Sequence, residues 1–148
     1  MKVYLDSSAI VKRYVLEDGS GMVEEAYLEA LNGISTLHFS VWNIGEVLGA
    51  LDTYYRRKWF DSEDYVAVRE SFVMETVRLI KLGVAEMVPV RSRLLAESWL
   101  LSEKYHVYEA DALQVVSAKH LGADKLLSGD KRLVGISEKE EVNAVYLG

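Results

Sequence analysis

The sequence predicts an α/β fold, and two observations carry that reading. Short apolar runs bounded by turn residues alternate with segments of helical periodicity, the pattern of a parallel sheet with helices on both faces. In addition, two acids, Asp6 and Asp130, come directly after such runs. In open α/β sheets that is the edge, beyond the carboxyl ends of the strands, where ligands bind.

The elements follow in order. Val3–Leu5 reads as a first buried strand, and Ser8–Val15 as a short helix with Ile10, Val11 and Tyr14 at helical spacing. After the Asp18-Gly19-Ser20-Gly21 loop, Met22–Leu31 is a helix stopped by Asn32-Gly33. A strand lies within Gly33–Phe39. A longer helix over Ser40–Lys58 carries an apolar stripe of Val41, Ile44, Leu48, Leu51 and Tyr55. Asp61 or Ser62 caps the next helix, which runs to Leu82 and offers Tyr65, Val66, Phe72, Val73, Val77 and Ile80 for packing. Met87–Val90 is a strand that contains the only Pro, Pro89. Ser92–Tyr105 is a helix bearing Leu95 and Trp99, and Ala110–Leu121 is another, ended by Gly122. Lys125–Leu127 and Asn143–Tyr146 complete the strands.

At 148 residues the chain is expected to be one domain, 1–148, long enough to bury a core. Half of it is apolar, which excludes a disordered chain. The absence of Cys rules out disulfides, thiolate metal sites and a cysteine nucleophile, and fits an intracellular home. The N-terminus does not read as a signal peptide and no apolar run reaches membrane-span length, so a cytoplasmic protein is expected. A single Gln and three Asn beside many Glu, Lys and Arg point weakly to a thermophilic source. The net charge of −6 argues against a general nucleic-acid coat protein. It leaves room for an enzyme on nucleic acid whose acids bind metal ions, because the ions reverse the local charge.

Four acids stand out, each with two readings. Asp6 in LDSSAI is a normal helix N-cap, yet Ser7 and Ser8 are able to cap the helix themselves and leave its carboxylate over. Asp111 in YEADALQVV, with Gln114 three residues on, is better explained locally as a capping box. Asp130 in LLSGDKRL is a turn residue or a cap for a short helix, and its place after a strand favours a functional role. Glu46 in VWNIGEVLGAL falls off the apolar stripe, which makes solvent exposure its default. Gly45 and Gly49 beside it suggest close approach of backbone or substrate, since Gly inside a helix costs about 1 kcal/mol against Ala. Glycine-rich phosphate loops and the nucleophile elbow are absent, and His38, His106 and His120 lack metal-ligand spacing. Arg56-Arg57-Lys58-Trp59 is either an RNA contact or, more simply, a cationic helix end.

Taken in order, VYLDSSAIVKRY, SVWNIGEVLGAL and DALQVVSAKHLGADKLLSGDKRLV resemble the PIN domain family over the whole chain. The resemblance implies a three-layer α/β/α sandwich with a central parallel sheet of about five strands, in which Asp6, Glu46, Asp111 and Asp130 meet in one acidic pocket. It implies a metal-dependent endoribonuclease using Mg²⁺ or Mn²⁺, with Asp6 and Asp111 as principal ligands, Asp130 as a ligand or outer acid, and Glu46 orienting water. Ser128 would support the cluster by hydrogen bonding. The size resembles VapC-type toxins of toxin–antitoxin pairs, which form homodimers neutralised by a small antitoxin. A housekeeping RNA-processing nuclease and a silent binding module are the alternatives. In an acidic protein the RNA would need a local basic rim, for which Lys12, Arg13, Lys131 and Arg132 adjoin the motifs. The 61–82 helix with Tyr54, Tyr55, Trp59, Phe60 and Tyr65 is either a dimer or antitoxin surface or packing between two helices.

Overall fold

A computed structural model describes residues 1–148. The elements in chain order are β1 (Lys2–Leu5), α1 (Ser7–Tyr14), α2 (Ser20–Leu31), β2 (Thr36–Ser40), α3 (Val41–Arg56), α4 (Ser62–Lys81), β3 (Ala85–Val88), α5 (Ser92–Tyr105), α6 (Glu109–Leu121), β4 (Lys125–Ser128), α7 (Lys131–Lys139) and β5 (Ala144–Tyr146). The five strands form one parallel sheet in the order β3-β2-β1-β4-β5. None of the helices is long and apolar enough to cross a membrane.

Alternation along β1 builds the two sides of the sheet, because successive strand side chains point to opposite faces. Val3 and Leu5 join a core with residues of α1, α2, α3 and α4, while Tyr4 joins a second core with α5, α6 and α7. Val3–Leu5 of β1 and Leu126–Leu127 of β4 are accordingly apolar and buried, as a sheet covered on both faces requires. The result is a three-layer α/β/α sandwich.

Several expectations need correction. The second helix begins at Ser20 and not at Met22, after Gly19 in the left-handed region at φ 87°. Strand β3 stops before Pro89, which has no N–H to offer the ladder. The buried line of α3 is Asn43, Val47 and Leu51, whereas Val41 and Tyr55 are exposed. In α4 it is Phe72, Thr76 and Leu79 that are buried, and Val66, Val73 and Val77 that face outward. In α5 Leu94, Ser98 and Leu101 face the core and Trp99 does not. Each helix carries more apolar residues than one buried face can take, so spacing alone leaves two faces eligible. Helix α7, one of the two options at Asp130, is present.

Candidate functional site

Strands β1 and β4 lie side by side, with Leu5 opposite Leu127. Between them the strand order reverses direction, because the chain adds β2 and β3 on one side before crossing back to β4 and β5. This is the topological switch point, where α/β sheets open a crevice. Asp6 leaves the sheet there on one strand, and Ser128-Gly129-Asp130 on the other.

Asp6 is 4% exposed and caps α1 itself, contrary to the expectation that Ser7 and Ser8 would do so. Its Oδ1 accepts from Ala9 N at 2.9 Å and from Ser8 Oγ at 2.6 Å, and its Oδ2 accepts from Ser128 Oγ. Only the Asp6 side chain, just before the first helical residues, reaches the orphan N–H of Ala9. Capping and site geometry are thus one arrangement. Burial pushes the Asp6 carboxyl up to about 6, although the bonds from Ser128, Ser8 and Ala9 oppose this; the nearby Asp130 charge pushes the same way as burial. Ser8 Oγ also accepts from Gly129 N at 2.8 Å, and Ser128 Oγ from Asp130 N at 2.9 Å. The two serines stitch the start of α1 to the turn after β4.

Asp130 caps α7 through Oδ1, which accepts from Arg132 N at 2.9 Å and Leu133 N at 3.3 Å. Asp111 lies in the first turn of α6, whose N-cap is Tyr108 with no side-chain bond. The expected Asp111–Gln114 capping box does not form, because Gln114 turns into the core. Burial raises the proton affinity of Asp111, and the Asp130 and Glu46 charges add to it. Glu46, half-buried on α3, accepts from Asn43 Nδ2 at 3.2 Å. Gly45 and Gly49 are exposed, and a Cβ added at either would meet nothing of this chain within 4 Å, so no backbone packs there.

The Asp130 charge therefore acts on both Asp6 and Asp111, and the Glu46 charge on Asp111. A cleft of ≈ 280 Å³ opens beside Glu46 between α1 and α3, lined by Ser7, Ser8, Val11, Glu17, Ala50 and Tyr54 as well. A larger cleft, ≈ 590 Å³ against α5 and α6, has none of the four acids in its wall. As the side chains stand, no group of three His, Asp or Glu encloses a metal ion. In chemistry the donor set nevertheless fits a hard divalent cation: it is all oxygen, and burial together with the neighbouring Asp130 charge raises the proton affinity of both Asp6 and Asp111, a cost that a cation would relieve.

Of the four expected rim cations, two are committed elsewhere. Lys12 is buried, and its Nζ donates to Asp18 O at 2.7 Å, Glu17 Oε1 at 3.2 Å and Gly148 O at 3.4 Å. Arg13 makes a two-pronged bond to Glu75, at 2.9 and 3.0 Å, and stacks on Tyr27. Lys131 and Arg132 are exposed beside Asp130, with one Arg132 nitrogen donating to His106 O at 2.8 Å. The aromatics mostly pack on each other: Tyr54 on Trp59 and Phe60, Tyr55 on Tyr65. Trp59 remains 61% exposed with Arg57 over its ring.

Sequence reasoning misses Tyr4 and Asn43, which both donate to Gln114 Oε1, and reads Gln114 only as part of a cap. A signal is present: Gln114 is the single Gln of the chain and sits in an otherwise apolar stretch.

Residues 3–139 match the PIN domain family. No curated protein matches the chain by sequence. Among solved structures, FitAcB from Neisseria gonorrhoeae superposes with a TM-score of 0.68 at 13% identity, over 96% of this chain and 95% of that one. VapC20 of Mycobacterium tuberculosis, a sarcin–ricin loop cleaving toxin, gives 0.63 at 14% identity over 90% and 93%. PAE2754 from Pyrobaculum aerophilum gives 0.67 at 15% identity over 99% and 90%.

Proposed function

Since the chain belongs to the PIN domain family, we propose that it is a divalent-metal-dependent endoribonuclease, built as one domain over residues 1–148 and acting as the toxin of a toxin–antitoxin pair. The observation that carries the chemistry is the placing of two buried or half-buried carboxyls, Asp6 and Asp111, at the switch point, both raised by burial and by the Asp130 charge, and Asp111 also by that of Glu46. The toxin role is supported by likeness in fold to VapC20, a loop-cleaving toxin, and to FitAcB.

In this reading Asp6 and Asp111 are the principal holders of Mg²⁺ or Mn²⁺. Asp130 is a further ligand or an outer acid, and Glu46 orients the attacking water. The bound ion supplies charge neutralisation and activation of water for hydrolysis of a phosphodiester, leaving a 5′-phosphate and a 3′-hydroxyl. Ser8 and Ser128 hold the Asp6 carboxylate in one orientation, so that it need not reorganise on metal entry. Lys131 and Arg132 attract the phosphate backbone beside Asp130. The partners are RNA, a second copy of the chain and a small antitoxin, and the protein works in the cytoplasm.

Induced expression in a bacterial host tests the reading. Wild type should arrest growth and fragment RNA, and Asp111→Asn should do neither at equal protein level. Arrest by both forms alike would refute the nuclease reading.

A further inference from the structure

Beneath the acids lies a buried polar network that spans three layers of the fold. Tyr4 OH donates to Gln114 Oε1 at 2.7 Å, and Asn43 Nδ2 donates to the same oxygen at 2.9 Å. Tyr4 and Asn43 are 0% exposed and Gln114 is 2% exposed. The amide orientations follow from the donors alone. Ser40 N can only donate, and it bonds Asn43 Oδ1 at 2.8 Å, so Asn43 Nδ2 must face Gln114 and Glu46. Gln114 then has to present its oxygen, and its Nε2 is left without a partner, as is Ser117 Oγ one turn on.

Each member of the network is chained to one of the acids. Tyr4 is two residues before Asp6 on β1, Asn43 three before Glu46 on α3, and Gln114 three after Asp111 on α6. One Gln114 oxygen thus fixes the spacing of the three elements that carry those acids. Asn43 also reaches Glu46 directly, from a side chain already pinned by the capping box of α3. As a way of filling a core the arrangement is poor, since it buries the unsatisfied Gln114 Nε2 where an apolar network of the same shape would leave no polar atom.

We propose that Tyr4, Asn43 and Gln114 are positioning residues that set the separation of Asp6, Glu46 and Asp111, with Asn43 aiming Glu46. This rests on the reading of those acids as a metal site. Supporting shells of this kind are worth about 10–100-fold in metal affinity.

Gln114→Met keeps the volume and removes the amide, and three readouts on the intact protein decide the matter. Urea unfolding should stay cooperative, with a midpoint below wild type, because the Tyr4 hydroxyl and Asn43 Nδ2 lose their buried acceptor. Mn²⁺ binding without RNA, read from the free-ion electron paramagnetic resonance signal, should weaken about tenfold. The protected Asn43 side-chain amide protons, seen by ¹⁵N NMR without metal, should become exchange-labile. In a Glu46→Gln background the same substitution should still weaken Mn²⁺ binding, but less, because the part that passes through Asn43 to Glu46 is gone while the part through Asp6 and Asp111 remains. Binding within twofold of wild type would overturn the proposal, and so would an Asn43 amide that stays protected. Should wild type bind no Mn²⁺ at all, the metal reading falls, and the NMR comparison still decides whether Gln114 holds Asn43.

Discussion

Asp6→Asn should make the metal-free protein more stable and inactive. The Asp6 carboxyl titrates at about 6 in the folded chain against 3.8 for an ordinary Asp, chiefly because it is buried. Its folded proton affinity is raised, so its contribution to stability is present below pH 3.8 and is lost as pH rises through 6. Above that point, holding the charge costs on the order of 3 kcal/mol, from a shift of about two pH units. Asn removes the charge and keeps the cap, since Asn and Asp rank together at N-cap positions and Oδ1 can still accept from Ala9 N and Ser8 Oγ. Urea unfolding in EDTA at pH 4 and pH 7.5 measures this. The variant should gain little at pH 4 and up to about 3 kcal/mol at pH 7.5. With excess Mn²⁺ the order should narrow or invert, as binding at 100 times the dissociation constant adds about 2.7 kcal/mol to the form that binds. A gain that is absent at pH 7.5, or equal at both pH values, would refute the reasoning.

Three further outcomes are expected. Asp130→Asn should lower the Asp111 carboxyl pKa, followed by ¹³C NMR, because the Asp130 charge is among the causes that raise it. Phe72→Ala should cost about 3–5 kcal/mol in urea unfolding, since Phe72 is 1% exposed and packs edge-on against Tyr14 at 5.5 Å. Gly19→Ala should cost more than about 2 kcal/mol, because φ is +87° and the new Cβ would lie 2.3 Å from Leu147 O; a stable Ala variant in a thermal melt would contradict the close packing of that turn.

The sheet edge is legible in the sequence because its signals are local. A strand such as VYL followed by an acid needs only its neighbours to be read, and the three quoted stretches together carry the fold. Helix faces are less legible. In α4, Val66, Val73 and Val77 are as apolar as Phe72 and Leu79, and only the packing partner decides which line is buried. Caps mislead where two residues compete. Asp6 and Ser7 both suit an N-cap, and the choice depends on where β1 ends. Gln114 misleads for a third reason. An Asp-x-x-Gln pattern is identical whether Gln turns to the helix start or into the core, and the deciding partners, Tyr4 and Asn43, lie 110 and 71 residues away. Lys12 shows the same effect: a cation next to a site motif is committed to a loop and to Gly148, which spacing does not reveal.

The most direct measurement is cleavage of a 5′-labelled single-stranded RNA by purified protein, with ladders read in Mg²⁺, Mn²⁺ and EDTA. Discrete fragments should form with either ion, vanish in EDTA and with Asp6→Asn, and carry 5′-phosphate and 3′-hydroxyl ends. Cleavage that persists in EDTA or in the variant, or no cleavage of any RNA by wild type with metal, would contradict a metal-dependent site built on Asp6.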